Sequence, residues 1–284
     1  MQIIRTIQEM QLISKQWEIN EKKIAFVPTM GALHEGHLEL MKEAKKNTDI
    51  CIVSIFVNPM QFAPNEDFSK YPRPIEKDME LCISVGVDYL FLPEATEIYL
   101  DGFSTTVVVS GITERFEGAS RKTHFQGVTT IVAKLLFATN PRAMYMGQKD
   151  FQQVLVLQKM VKDLNIDVEI VMVPTKRDAD GLALSSRNKY LSSSERVIAL
   201  SIRKAIVAAK SVIQSGETNH SAIESFLRSE LEKNEGIRID YATIADASTL
   251  EQRDNYVTKD TVVLLIAAYV GTTRLIDNEV VTIL

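Results

Sequence analysis

Cysteine is scarce in this chain. Only Cys51 and Cys82 occur in 284 residues. Cys51 falls in an apolar strand pattern and Cys82 in a helical one, so both read as buried thiols. A scaffold built on disulfides is thereby excluded. Long hydrophobic runs are also missing, and none approaches the ~20 residues that a membrane-spanning helix needs. The start, Met1-Gln2-Ile3-Ile4-Arg5, lacks a signal-peptide pattern. A cytoplasmic protein is expected, in which the sequon-like Asn219-His220-Ser221 carries no meaning. Positive charge is not in excess either. Lys and Arg number 32 against 37 Asp and Glu, a net charge of −5, which argues against a broad basic face. Neither nucleic acid nor membrane is expected as a partner.

What is present is an ordinary apolar content, 45%, in a length that suits two domains or one large one. Apolar strand patterns run over 23–27, 50–57, 88–92, 143–146 and 168–173. Helical patterns at 38–46, 74–85, 127–138 and 151–164 alternate with them. That alternation predicts βαβ units with right-handed crossovers: an α/β fold with a Rossmann-like, doubly wound parallel sheet. After Pro174 the order changes. Helices at 193–214 and 221–232 precede strands at 237–247, 261–270 and 272–283. A second, smaller α+β domain is expected, giving domains 1–175 and 176–284.

Only four histidines occur, and two of them stand three residues apart in Pro28-Thr29-Met30-Gly31-Ala32-Leu33-His34-Glu35-Gly36-His37. An apolar run leads in and an amphipathic stretch follows, so this reads as strand, turn and helix N-terminus. The first N–H groups of a helix lack intrahelical partners and carry partial positive charge. Glycine lets backbone approach a ligand closely. The ensemble suits the phosphates of ATP. Surface histidines, or half of a metal site, are the bland alternatives. The metal reading is poor, because helical zinc pairs stand four apart and no third ligand is near.

Other segments end neighbouring strands. Gln61, in Asn58-Pro59-Met60-Gln61-Phe62, has both a donor and an acceptor for a polar substrate, or is a surface amide after a turn. Lys149, in Gly147-Gln148-Lys149-Asp150, reads as a phosphate contact or as a solvated lysine at a helix start. Leu184-Ser185-Ser186-Arg187-Asn188 offers two hydroxyls and a guanidinium, which make a phosphate clamp or an ordinary capped loop. Residues 111–127 read equally as a mobile lid or a solvated loop.

These blocks together resemble the pantothenate synthetase (pantoate–β-alanine ligase) family of His-x-Gly-His nucleotidyltransferases. Thr123-His124-Phe125, the run from Gly147 to Gln153, and Arg274-Leu275-Ile276-Asp277-Asn278 add to the likeness in collinear order. The resemblance implies an ATP-dependent ligase of pantothenate biosynthesis. It would condense (R)-pantoate with β-alanine to pantothenate, AMP and pyrophosphate, through a pantoyl adenylate. It implies His34, His37, Lys149 and Arg187 as catalytic groups. Met30, Gly31, Ala32, Leu33, His34, Glu35, Gly36 and His37 would line the ATP site. So would Gly147, Gln148, Lys149, Asp150, Lys176, Leu184, Ser185, Ser186 and Arg187, with the 176–284 domain closing over the phosphates. Gln61 and Gln153 would bind pantoate. A homodimer is implied, and Mg²⁺ with Asp78 as its ligand. Two departures weaken the metal assignment: Gln148 stands where Glu is frequent, and Lys77 precedes Asp78 where some members have Asp-Asp.

The residues fit such chemistry without the name. A carboxylate resists nucleophilic attack, and adenylation gives it a leaving group. Cations and N–H donors must offset the repulsion between two anions. No Ser-His-Asp or Cys-His arrangement offers a protein nucleophile. Three other readings compete: another nucleotidyltransferase, a fragment of an aminoacyl-tRNA synthetase, and a non-enzymatic nucleotide-binding regulator. The first usually has a shorter chain without the 58–62 and C-terminal blocks. The second sits badly with the acidic balance. The third would need neither Gln61 nor Gln153.

Overall fold

The computed structural model describes residues 1–63 and 68–284. Two compact units account for them: Met1–Gln148 with Val156–Pro174, and Lys149–Leu155 with Thr175–Leu284. A single boundary after residue 175 therefore misses one detail, since Lys149–Leu155 groups with the second unit.

The first unit opens with β1 (Gln2–Ile4) and α1 (Ile7–Ile19), followed by β2 (Ile24–Thr29), α2 (Glu35–Asn47), β3 (Ile50–Ile55) and α3 (Ile75–Val85). Next come β4 (Tyr89–Phe91), two single-turn helices α4 (Ala95–Ile98) and α5 (Glu117–Ser120), and α6 (His124–Thr139). It ends with β5 (Ala143–Gly147), α7 (Phe151–Asp163) and β6 (Glu169–Val173). The six strands form one parallel sheet in the order β1-β4-β3-β2-β5-β6. β3 and β4 lie to one side of β2, and β5 and β6 to the other. The strand order thus reverses between β2 and β5, where a ligand crevice is expected beyond the carboxyl ends.

β2 and β3 are buried on both faces, which is why they read as unbroken apolar runs. Ala25, Val27, Cys51 and Val53 pack with Leu38, Met41, Ala44 and Cys82 of α2 and α3. Phe26, Ile52 and Met144, of the opposite parity, are fully buried on the other face. There α1 and α6 pack on each other and both touch β2. This is the doubly wound arrangement expected from the sequence.

The second unit carries α8 (Ser193–Gln214), α9 (His220–Glu232), β7 (Ile237–Asp246), β8 (Thr261–Val270) and β9 (Thr273–Thr282). The strands make an antiparallel sheet in the order β7-β8-β9. Its core joins Ala199, Ile202, Ile206 and Ile213 of α8 and Ile223, Leu227 and Leu231 of α9 to Ile244, Leu264 and Ile266 of the sheet. The smaller α+β character expected after Pro174 is present. Among the described residues, no helix is long and apolar enough to cross a membrane.

Candidate active site

The turn after β2 is built by side chains that collect its backbone N–H groups. Thr29 Oγ1 accepts from Gly31 N at 3.1 Å while donating to the Ser54 carbonyl at 2.8 Å. Asp78, from the first turn of α3, accepts from Ala32 N at 2.7 Å and from Leu33 N at 2.8 Å. Gly31 has φ +82° and Ala32 φ +52°, so the chain runs left-handed here. Glycine suits that region, and alanine must be held in it.

His34 is the N-cap of α2, and both histidines serve the cap. His34 Nδ1 accepts from Gly36 N at 3.1 Å, and His37 Nδ1 accepts from His34 N at 3.3 Å. Their ring centroids lie 4.1 Å apart. A neutral imidazole that accepts at Nδ1 carries its proton on Nε2. The cap therefore gives both rings the same tautomer, with Nε2–H as donor. The cap also occupies the backbone amides that a helix N-terminus would otherwise leave open. Gly36 N is taken by the His34 ring and His37 N by the His34 carbonyl, at 2.8 Å. With these amides taken, this end has fewer unpartnered backbone N–H groups for an anion than an uncapped helix would. Glu35, in the first turn of α2, is exposed.

Gln61 enters from the end of β3 on a short 3₁₀ turn, Pro59–Gln61, and is 8% exposed. Its Nε2 donates to Met30 Sδ at 3.0 Å, so the structure brings Gln61 and Met30 together. The amide's orientation is set from behind. Asn58 Nδ2 donates to Gln61 Oε1 at 3.1 Å and to the Gly127 carbonyl at 3.0 Å, while Asn58 Oδ1 accepts from Met60 N and Tyr99 OH. Burial pushes the Tyr99 phenol up from its ordinary 10, which keeps it a donor. The Gln61 backbone is held too, with its carbonyl 3.0 Å from His124 Nδ1 and accepting from Arg121 Nη2 at 3.4 Å. Gly147, the last residue of β5, and Gln148 follow the strand beside β2 and are half-buried.

The second unit places the other sequence-predicted residues. Lys149 is half-buried, Asp150 is exposed immediately before α7, and Gln153 is half-buried in the first turn of α7. Asn278 Nδ2 holds the Lys149 carbonyl at 2.9 Å. Lys176 and Leu184 pair across a tight turn, with Leu184 N donating to the Lys176 carbonyl at 3.0 Å. Arg177 in that turn forks onto the buried Asp277 at 2.7 and 2.9 Å. Ser185 caps the 3₁₀ helix Ser186–Tyr190 by accepting from Arg187 N at 3.2 Å, and Ser186 and Arg187 follow, half-buried. Lys149, Ser185 and Asn188 line one small cavity together with Asp277 and Arg203. Asn188 Oδ1 is buried without a hydrogen-bond partner. An orphaned acceptor beside an ammonium and a hydroxyl is the kind of polar atom that bound water or a ligand donor satisfies.

A magnesium ion at Asp78 does not fit these residues. The carboxylate is 0% exposed and both of its oxygens receive backbone N–H groups. No group of three His, Cys, Asp or Glu residues with metal-binding geometry occurs among the described residues. The 111–127 segment is folded rather than open: a 3₁₀ turn at Ile112–Glu114, then α5, then the start of α6, with Glu117, Gly118 and His124 buried. Tyr99 and Gly127 were not singled out by the sequence, and Arg121 only as one of the charged residues of the 111–127 segment. Gly127 stood at the start of the helical pattern, where glycine alone does not announce a close approach. A Cβ there would stand 2.4 Å from the Met60 carbonyl oxygen.

Comparison with known proteins agrees along the full length. A family model described as Pantoate-beta-alanine ligase matches residues 2–280. A pantothenate synthetase from Acetivibrio thermocellus is 46% identical over 283 residues, covering 100% of both chains. The crystal structure of pantothenate synthetase from Thermus thermophilus superposes with a TM-score of 0.91 at 40% identity, over 98% of this chain and 99% of that one. A pantoate-beta-alanine ligase from Francisella tularensis, solved in complex with beta-gamma ATP and beta-alanine, matches with a TM-score of 0.79 at 37% identity. It covers 98% of this chain and 97% of its own.

Proposed function

We infer the roles of individual residues from one premise: this chain belongs to the pantoate-beta-alanine ligase family. It is an ATP-dependent ligase that condenses (R)-pantoate with β-alanine to pantothenate, AMP and pyrophosphate. The observation that carries the site assignment is the double histidine cap at the end of β2, beside the reversal of strand order.

Reaction begins with a pantoate carboxylate oxygen attacking the α-phosphorus. The bond to the β-phosphate oxygen breaks and pyrophosphate leaves. His34 and His37, both committed to Nε2–H, donate to the phosphate oxygens as charge builds there. Lys149 and Arg187 offset the charge of the phosphates, with Ser185 and Ser186 as further donors. Met30 to Leu33, Glu35, Gly36, Gly147, Gln148, Asp150, Lys176 and Leu184 shape the nucleotide's surroundings. Gln61 presents its amide N–H to pantoate, because Asn58 already donates to its oxygen. Gln153 holds a second part of that substrate. The β-alanine amine then attacks the acyl carbon, the amide bond forms, and AMP leaves with the acyl–phosphate oxygen. No protein nucleophile is needed.

Mg²⁺ would accompany ATP and offset phosphate charge, and no residue of the chain is assigned to it. The enzyme works as a homodimer in the cytoplasm, a reading that rests on family likeness. A single-chain mass by light scattering at working concentration would contradict the dimer. The order of chemistry has a direct test. Labelled pyrophosphate should exchange into ATP when pantoate is present and β-alanine is absent. Exchange that strictly requires β-alanine would mean a concerted condensation instead.

A further inference from the structure

Five N–H groups along the histidine loop, from Gly31 to Gly36 with Glu35 left out, meet side-chain acceptors. Gly31 N goes to Thr29 Oγ1, Ala32 N and Leu33 N go to the two oxygens of Asp78, His34 N goes to His37 Nδ1, and Gly36 N goes to His34 Nδ1. Past Gly31 and Ala32, both at positive φ, the adjacent N–H groups of Ala32 and Leu33 point at one anion. Converging backbone N–H groups make an anion site. Its occupant is the chain's own carboxylate, fully buried and in the first turn of α3, where the helix dipole favours negative charge. The fit is tight, since a Cβ on Gly31 would stand 3.0 Å from Asp78 Oδ2.

We propose that Asp78 is the positioning residue of the adenylation loop: an internal anion that locks the Gly31–Ala32 turn and so aims His34 and His37, with no metal-binding duty. This rests on the reading that the two histidines meet the nucleotide. Two consequences follow. The N–H groups of Ala32 and Leu33 are already used and do not bind phosphate. The strained Ala32 conformation persists because the carboxylate holds it.

The test compares wild type with Asp78→Asn, which keeps the shape but turns one acceptor into a donor facing an N–H. In ligand-free protein, hydrogen exchange at Ala32 and Leu33 should be slow in wild type and roughly 10–100-fold faster in Asp78→Asn, the range for losing a charged acceptor. Pantoate-dependent pyrophosphate exchange should fall by a similar factor, roughly 10–100-fold. The KM for pantoate and the Mg²⁺ concentration for half-maximal rate should both stay within about twofold, because the substrate subsite and the metal are untouched. Adding Ala32→Gly to Asp78→Asn should restore roughly fivefold in rate, since glycine takes the left-handed conformation without the penalty alanine bears. A metal ligand would show neither that rescue nor an unchanged Mg²⁺ requirement.

A tenfold or larger shift in the Mg²⁺ requirement with wild-type amide protection would overturn the proposal. So would a wild-type adenylation rate in Asp78→Asn. Should that variant not fold, the wild-type amides alone decide. Exchange of Ala32 and Leu33 at open-loop rates contradicts the clamp, and strong protection upholds it. The hydrogen-exchange arm is independent of catalysis. Absence of pantoate-dependent exchange in wild type would instead count against the functional reading.

Discussion

Gly127 is the fourth residue of α6, where alanine would ordinarily be the better helix former by ~0.5–1 kcal/mol. The structure reverses that preference. A Cβ there would meet the Met60 carbonyl oxygen at 2.4 Å and Gln61 N at 2.6 Å, and both are backbone atoms that cannot swing aside. Gly127→Ala must therefore push the Met60–Gln61 peptide off α6 or distort the helix, a cost of about 1–3 kcal/mol. Because Gln61 rides on that peptide, the KM for pantoate should rise while binding of ATP is kept. Calorimetric unfolding and paired titrations of the two ligands check this. An unchanged pantoate titration would show that the close approach has nothing to do with substrate. Single residues were the least legible part of this sequence. Asp78 reads as a metal-type acid, and only three-dimensional placement shows its oxygens turned onto Ala32 and Leu33. Gln61 reads as donor and acceptor alike, and only the Asn58 contact separates the two roles.

Helix α2 combines two tasks in one side chain. His34 caps the helix through Nδ1, and in the proposed reaction it donates through Nε2. Substitution can separate them. His34→Ala removes cap and donor together and should cost roughly 0.5–2 kcal/mol of stability besides activity. His34→Asn supplies a good cap oxygen without an imidazole, so it should melt near wild type and yet adenylate slowly. Thermal melting with single-turnover kinetics on both variants tests the separation, and full activity in His34→Asn would assign the residue to capping alone. The long elements were legible because their burial imposes a period. The parallel strands β2 and β3 show as continuous apolar runs, and α8 as a long amphipathic one. β1 escaped because three residues carry no period. α1 escaped although its start is spelled out, since Thr6 accepts from Glu9 N three residues on. α6 begins at His124, ahead of the glycine that marked the start of its helical pattern.

At the scale of the whole molecule, the alternation of strand and helix followed by an antiparallel sheet announced the fold class. The assignment of Lys149–Leu155 to the second unit had no sequence signal, because helix α7 runs on without a break. The buried core also makes stability depend on pH at the alkaline end. Burial first, then the charge of Asp88, raises the Cys51 thiol from 9.0 to about 12. Burial first, then Asp78, does the same for Cys82. Above pH 9 the unfolded chain releases protons that the folded one keeps. Stability should therefore fall as pH rises from about 9 toward 12, by up to ~1.4 kcal/mol per pH unit for each thiol. Denaturant midpoints measured from pH 7 to 11 should decline only above pH 9, and less steeply in Cys82→Ala. A flat profile would mean that the thiols are not sealed from solvent.

In the proposed reaction, the histidine pair capping α2 carries the adenylation step. The most direct measurement is pantoate-dependent ATP–pyrophosphate exchange, without β-alanine, in wild type and His37→Ala, each paired with a thermal melt. The exchange rate should be lowered by ~10²–10³ in the variant, the range for losing one transition-state donor, with a melting temperature close to wild type. An exchange rate equal to wild type in a folded His37→Ala enzyme would contradict it.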